Sequence, residues 1–379
     1  MIKVPPHHLY IHVPFCERKC PYCAFHSSAE KPDWDKYAAD IIAAISESPG
    51  CEVPTIFFGG GTPSLMPAAT LEKILNAAHK HFTVSPDAEI TIEMNPGTLE
   101  FPSREGVADL SAEAQRAKGE GRGGNQLSDY KSLGITRISV GAQSFNDGEL
   151  RFLGRIHDAK QARETITAAQ NAGFETSADF IYALPGQTVA DVEKLCREIK
   201  SMGLTHASLY ELTLEPGNKL PPCGGVGDEV AGGGSKTEMW LSIGHILNRY
   251  EVSNYAQPGH ECKHNSGIWA GEPYIGLGPS AAGRIFDGTN WYEQYTPPSS
   301  LLPSSFVLLP SHDRAVEKVI TGLRTKRGVR LSPDVLEILN SPLAGKSKKR
   351  ELFRWGVDSL ALSDSGLLIL DSLLPDMIK

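Results

Sequence analysis

Basic residues are outnumbered in this chain: 37 Lys and Arg stand against 45 Asp and Glu, a formal net charge of −8. That balance argues against a general nucleic-acid binder, which is normally basic. Long apolar runs are missing as well. No stretch approaches the roughly 20 apolar residues that span a bilayer, so no transmembrane segment is expected, with peripheral membrane association left open. The opening Met1-Ile-Lys-Val-Pro-Pro-His-His carries one Lys and no apolar core, and does not read as a signal peptide. Cysteines are few and odd in number, seven in 379 residues. They do not read as a secreted disulfide framework, and a reducing cytoplasm is the expected compartment. What is present is an ordinary globular composition, 40% hydrophobic and 22% charged, in a chain long enough for two or three domains.

Three of the cysteines are gathered in Tyr10-Ile-His-Val-Pro-Phe-Cys16-Glu-Arg-Lys-Cys20-Pro-Tyr-Cys23, a C-x3-C-x2-C spacing. They follow a short apolar run, Leu9–Val13, that reads as a buried strand. Three thiolates in one short loop suit an iron–sulfur cluster, because iron–sulfur centres select soft thiolate ligands. A four-iron cubane held by three cysteines leaves one iron without a protein ligand. That iron can take a substrate or cofactor, much as a catalytic zinc site keeps an open position. Zinc held by the three cysteines and a histidine such as His26, or three plain reduced thiols, are the competing readings.

From residue 9 to about 215, β-rich runs alternate with helical ones. Strands are expected at Leu9–Val13, Thr55–Phe58, Glu89–Glu93, Arg137–Val140, Ser177–Tyr182 and Ala207–Leu214. Helices are expected at Asp33–Glu47, Ala69–Phe82, Asp158–Ala172 and Val189–Met202. The alternation predicts an α/β fold with a parallel sheet and right-handed crossovers. Six units make a partial (β/α)6 barrel rather than a complete eightfold one, with its site at the C-terminal rim of the strands. Residues 101–128 interrupt the pattern with a polar, Gly-rich stretch, within which Val107–Lys118 could be helical. Pro216–Ser235 reads as a flexible connector in which Cys223 is an incidental thiol. The segment from Thr296 to Pro310 is Pro/Ser-rich. The expected division is a barrel over 1–215, a linker and β-rich region over 216–300, and a small helical, winged-helix-like domain over 311–379.

The remaining chemical motifs sit just after strands. Gly59-Gly60-Gly61-Thr62-Pro63 lets backbone groups approach a ligand without a Cβ in the way. Alternation puts Glu89, Thr91 and Glu93 on one face of their strand, with Glu93 closing it before Asn95-Pro96. Glu93 could meet a cationic or hydroxyl-bearing ligand, or simply face solvent. Gln143 and Arg155 suit ribose hydroxyls and a carboxylate, although Arg155 could equally serve a surface ion pair. Asp179 lies within a strand, and a buried carboxylate needs a partner.

Together these motifs closely resemble the radical S-adenosylmethionine (SAM) coproporphyrinogen-dehydrogenase-like superfamily, specifically its HemW haem-chaperone branch. The resemblance runs from about Tyr10 to Arg330. It is also carried by Gln143-Ser-Phe, Leu153-Gly-Arg-Ile-His, Asp179-Phe-Ile-Tyr-Ala-Leu-Pro-Gly, Tyr250-Glu-Val-Ser-Asn-Tyr-Ala and Gly322-Leu-Arg-Thr-Lys-Arg-Gly-Val. It implies that Cys16, Cys20 and Cys23 bind a [4Fe–4S] cluster whose open iron is chelated by SAM. Tyr10, Gly60, Gly61, Thr62, Glu93, Gln143, Arg155 and Asp179 fall where the family contacts SAM. Cluster reduction would then cleave SAM to methionine and a 5′-deoxyadenosyl radical.

Two features separate the branches. The radical dehydrogenase has a further cysteine two residues after the third, where this chain has Phe25. It also carries a long extension ahead of its cysteines, where this sequence has fifteen residues. Both differences favour the chaperone, which binds haem as cargo and passes it to acceptor haemoproteins. An oxygen-independent coproporphyrinogen III dehydrogenase, or another radical SAM oxidoreductase, is the alternative. A metal-binding protein without catalysis is a third reading. An electron donor such as flavodoxin or ferredoxin is implied.

Cys262-Lys-His264-Asn-Ser-Gly-Ile268-Trp269 resembles the family's His-Asn-x-x-Tyr-Trp motif, with Ile268 in the tyrosine position. His264 is the candidate axial haem ligand, Trp269 could pack on the porphyrin face, and Cys262 is near enough to ligate as a thiolate. The competing reading makes His264 and Trp269 structural. His7, His8, His26, His79 and His81 are read as surface or packing residues.

Overall fold

The computed structural model describes residues 4–99, 126–213, 235–300, 305–339 and 351–378. The expected helix at Val107–Lys118 and the connector containing Cys223 lie outside these residues. Among them, no helix is long and apolar enough to cross a membrane.

Six strands follow in order: β1 (His8–Val13), β2 (Glu52–Gly60), β3 (Thr83–Met94), β4 (Arg137–Gln143), β5 (Glu175–Tyr182) and β6 (His206–Glu211). Each pairs in parallel with the next. Between them run helices Trp34–Glu47, Ala68–His81, Ala159–Asn171 and Val189–Ser201. Their starts are written in the sequence. Asp33 accepts a hydrogen bond from the Lys36 amide, while Asp158 with Gln161 and Thr188 with Asp191 form capping boxes. β3 starts well before the expected Glu89, because Thr83 and Val84 already pair with Glu52 and Val53. Pro54 and Pro86 interrupt that pairing, since neither has an amide hydrogen to donate. This is why only the later part of β3 reads as a strand.

The sheet continues on both sides. On one edge β7 (Asn254–Ala256) pairs antiparallel to β6. On the other, β8 (Tyr274–Leu277) lies parallel to β1, followed by the antiparallel strands β9 (Ala282–Phe286), β10 (Trp291–Tyr295) and β11 (Ser305–Leu308). The order β11-β10-β9-β8-β1-β2-β3-β4-β5-β6-β7 is open at both ends.

The two faces of the parallel strands differ in chemistry. Leu9, Ile11, Val13, Ile56, Phe58, Ile90, Ile92, Ile138, Val140, Ala178 and Phe180 are buried in one hydrophobic core with residues of the covering helices. Each large side chain of this set contributes about 1.5–3 kcal/mol on burial. The alternate residues are mostly polar: His8, Tyr10 and His12; Thr55; Glu89, Thr91 and Glu93; Arg137 and Ser139; Ser177 and Asp179; His206 and Ser208. Parallel strands covered by helices on both faces normally read as continuous apolar runs. Here alternation reserves one face for chemistry.

The C-terminal part carries helices Ser311–Leu323, Pro333–Ile338, Asp364–Leu368 and Leu370–Met377. It adds a three-stranded antiparallel sheet of β12 (Val329–Arg330), β13 (Phe353–Trp355) and β14 (Ser359–Leu362), with β14 central. Arg314 joins this part to the main sheet, its guanidinium 3.9 Å from the centre of the Trp291 ring.

Candidate functional site

The cysteine loop leaves the C-terminal end of β1 and is pinned at both ends by backbone hydrogen bonds. The Cys16 amide donates to Ser28 O at 2.9 Å, and the Ser28 amide to Pro14 O at 2.7 Å. Phe15 anchors it with edge-on contacts to Trp34 and Tyr37, at ring separations of 5.0 and 5.6 Å. The glycine turn after β2 is clamped against the same loop: the Gly61 amide donates to Val13 O at 2.8 Å and the Thr62 amide to Phe15 O at 2.7 Å. A Cβ on Gly61 would stand 2.6 Å from Phe15 O, closer than any real contact, so only glycine fits.

Cys16, Cys20 and Cys23 are all free and half-buried. Thr62 Oγ1 donates to Cys16 Sγ at 3.6 Å and Arg155 Nη1 to Cys20 Sγ at 3.4 Å. Burial and the neighbouring Cys20 and Cys16 sulfurs push the Cys23 thiol up. Among the described residues, no three His, Cys, Asp or Glu side chains converge as the ligands of one metal ion do. The zinc reading with His26 therefore lacks its geometry. A cubane takes each thiolate on a separate iron, so its three cysteines need not converge on one ion.

Beside the loop lies a cavity of about 600 Å³, whose walls include every residue singled out as a cluster or SAM contact together with His264 and Cys262. Glu93 Oε2 accepts from the Gly60 amide at 2.9 Å. Burial, reinforced by the negative charge of Asp179, pushes the Glu93 carboxyl up to about 8. Asp179 is pushed up to about 6 by burial, although hydrogen bonds from Ser208 and Ser139 oppose the rise. Arg155 Nη2 donates to Gly141 O at 3.0 Å and to Asn95 Oδ1, while its buried Nε has no partner. Gln143 sits at φ 63 beside a register break in the β4–β5 pairing, and the bulge turns its side chain into the cavity wall. His12 Nε2 lies 2.8 Å from the His26 carbonyl, which can only accept; Nδ1 is then the acceptor, and Tyr10 OH donates to it at 3.0 Å. Gly60 has φ +111, and a Cβ there would stand 2.4 Å from the His12 ring.

Helix Lys263–Trp269 brings the far end of the chain to the cavity floor, packing against β1 and β2. Its first turn is capped from outside by Glu89, whose Oε1 accepts from the His264 amide at 3.1 Å. The other Glu89 oxygen pairs with Arg137 Nε at 2.9 Å, both side chains being buried. Removing one partner of such a buried pair costs about 3–5 kcal/mol, because the other charge is left uncompensated. The His264 side chain is 2% exposed. Its Nδ1 lies 2.7 Å from Thr55 Oγ1, and its Nε2 has no partner. Burial, and then the neighbouring His8, push this imidazole down to about 3, so it is neutral.

His264 and Trp269 do not meet on one surface. Five residues along a helix turn through about 140°, and Trp269 points instead to the Arg324 guanidinium, 5.0 Å from its ring centre. Trp269 is not part of the cavity wall, whereas Ile268 is. Cys262 is also not a thiolate candidate: burial and Glu89 push its thiol up, and its Sγ donates to Glu89 Oε1 at 3.4 Å. Three participants escaped the sequence reading. Arg137, His206 and His8 are buried on the polar face, and the strand alternation that marked Glu89 and Thr91 marks them equally.

The family model for the Radical SAM superfamily matches residues 10–199. The chain is 34% identical over 303 residues to the heme chaperone HemW of Escherichia coli, covering 75% of this chain and 72% of that one. It is 32% identical over 353 residues to the HemW of Synechocystis, covering 84% and 78%. It is 30% identical over 419 residues to the mitochondrial radical S-adenosyl methionine domain-containing protein 1 of Danio rerio, covering 99% and 88%. Among solved structures, coproporphyrinogen III oxidase (HemN) from Escherichia coli superimposes with a TM-score of 0.70 at 19% identity, covering 99% of this chain and 90% of that one. At that identity the likeness concerns the fold. With a cysteine loop, glycine turn and strand-end polar residues around one cavity, and with these relatives, the chain belongs to the radical SAM superfamily and, within it, to the HemW family.

Proposed function

We propose that this protein is a haem chaperone: it holds a [4Fe–4S] cluster and SAM, binds haem, and hands it to an acceptor haemoprotein in the cytoplasm. The observation that carries the haem part is His264, a buried neutral imidazole of the cavity wall with Nδ1 engaged and Nε2 without a protein partner. Neutral imidazole is a good axial haem ligand. Cys16, Cys20 and Cys23 would hold the cluster, with Arg155 and Thr62 donating to two of their sulfurs. Tyr10, Gly60, Gly61, Thr62, Glu93, Gln143, Arg155 and Asp179 would line the SAM site, Glu93 and Asp179 offering carboxylates to its cationic and hydroxyl groups. When bound, a reduced cluster supplies the electron that cleaves the sulfonium of SAM, and a flavodoxin or ferredoxin is the class of donor that would deliver it. Phe25, standing where the dehydrogenase has a fourth cysteine, is 67% exposed and lines the cavity, an apolar surface for a flat macrocycle.

The test is anaerobic. The reconstituted chain is reduced with dithionite in the presence of SAM and supplied in turn with coproporphyrinogen III and with haem plus an apo-haemoprotein. The expected result is intact coproporphyrinogen and haem transfer to the acceptor. Decarboxylated product would overturn the chaperone reading in favour of the dehydrogenase.

A further inference from the structure

A continuous line of hydrogen bonds runs from the surface through Glu272, His8 and Thr55 to His264 at the cavity floor. Glu272, at the surface, accepts from His8 Nε2 at 2.7 Å. His8 Nδ1 lies 2.8 Å from Thr55 Oγ1, and Thr55 Oγ1 lies 2.7 Å from His264 Nδ1. A carboxylate only accepts, so His8 Nε2 carries the hydrogen of the outer bond. Thr55 has one hydrogen, so its hydroxyl donates to one of the two Nδ1 atoms and accepts from the other, and the whole line is correlated in direction.

We infer that His8, Thr55 and Glu272 are positioning residues that fix the orientation of the His264 ring at the cavity wall, leaving Nε2 as its one nitrogen without a protein partner. The inference rests on the proposal that His264 is the axial base for haem. The ring is held sideways as well. It lies 5.0 Å from the Phe57 ring at 30°, and the His8 ring meets it edge-on at 5.7 Å. Gly267 makes the approach possible: a Cβ there would stand 2.0 Å from His8 Nε2. Glycine inside a helix costs about 1 kcal/mol relative to alanine, and here it lets Lys263–Trp269 lie directly on His8. His264 thus has a fixed Nδ1 and an unpartnered Nε2.

The experiment is titration of the full chain with ferric haem, followed by the Soret band, with SAM binding and thermal midpoint measured on each variant. Thr55→Val keeps the shape and removes the hydroxyl. It is expected to weaken haem binding by about 10–100-fold, the usual effect of losing the partner of a metal-bound histidine, and to shift the Soret band. Thr55→Ser is expected to restore both. If His264→Ala binds haem as tightly as the wild type, the haem reading itself fails. If His264→Ala is impaired while Thr55→Val keeps wild-type affinity and spectrum, the positioning inference alone is overturned. Should Thr55→Val not fold, Glu272→Ala breaks the same chain at its outer end, where the carboxylate side chain is 56% exposed. It is expected to weaken haem several-fold, and unchanged affinity there overturns the inference.

Discussion

Cys20→Ala is expected to leave a folded protein with no iron–sulfur chromophore and no detectable SAM cleavage. The prediction follows from the loop's construction. Its backbone is pinned by bonds that do not involve the Cys20 side chain, such as Cys16 N to Ser28 O, and it is packed through Phe15. Losing one thiol therefore removes a ligand without unfolding the loop. With three cysteines for four irons there is no spare thiolate to take over, and Arg155 would lose one of its partners. Cys51→Ala and Cys196→Ala are the controls. Both thiols lie in the hydrophobic core, and burial pushes them up to about 11 and about 12, so they remain protonated and inert. Iron and sulfide analysis after anaerobic reconstitution should give full cluster content for the two core variants and essentially none for Cys20→Ala. Retained cluster in Cys20→Ala would show that the ligands lie elsewhere.

Glu93→Gln is expected to weaken SAM binding by about 10–100-fold, the range that corresponds to losing ~1.5–3 kcal/mol from a hydrogen bond to a charged group. The amide can still accept from the Gly60 backbone, so the turn should survive. What is lost is the charge, and that charge is conditional in the free protein. Burial first, and the Asp179 charge second, raise the Glu93 carboxyl from 4.5 to about 8, so at neutral pH it is mostly protonated until a cation arrives. Binding a cationic ligand must then release a proton, and SAM affinity should rise with pH through neutrality and level off near 8. The sign for stability is the reverse. A group whose pKa is higher in the folded state stabilises the fold fully below its unfolded value, and that contribution is lost as pH climbs through the folded value. The ligand-free thermal midpoint of the wild type should therefore fall between about pH 4.5 and 8, and Glu93→Gln should flatten the fall. Calorimetric titration and thermal melts across this window decide both, and a pH-independent SAM affinity would contradict the assignment.

Much of the barrel was legible because its strands and helices declare themselves locally. Capping pairs such as Asp158 with Gln161, and alternation such as Leu9, Ile11 and Val13, need no tertiary information. The glycine turn was legible for a related reason: close approach demands glycine, and Gly61 lies against Phe15 O. The floor was not legible, because it is assembled over long separations. Thr55 meets His264 across 209 residues and Glu89 reaches the His264 amide across 175. No local pattern pairs such residues, so Thr55 passed as an ordinary strand position and His8 as a surface or packing residue. Trp269 was paired with His264 through their shared motif, but helix geometry turns adjacent motif letters to different faces. Cys262 invited a thiolate reading that burial and the neighbouring Glu89 carboxylate exclude.

If haem coordinates His264 Nε2, it enters through the cavity of about 600 Å³ whose wall also carries Glu93, Gln143 and Asp179. Haem and SAM then compete. The most direct measurement is a haem titration of the anaerobically reconstituted chain with and without saturating SAM, with SAM occupancy measured in parallel. The account predicts that SAM weakens haem binding at least tenfold, about 1.4 kcal/mol, and that His264→Ala abolishes the high-affinity phase. An identical haem isotherm with SAM demonstrably bound would place haem outside this cavity and contradict the account.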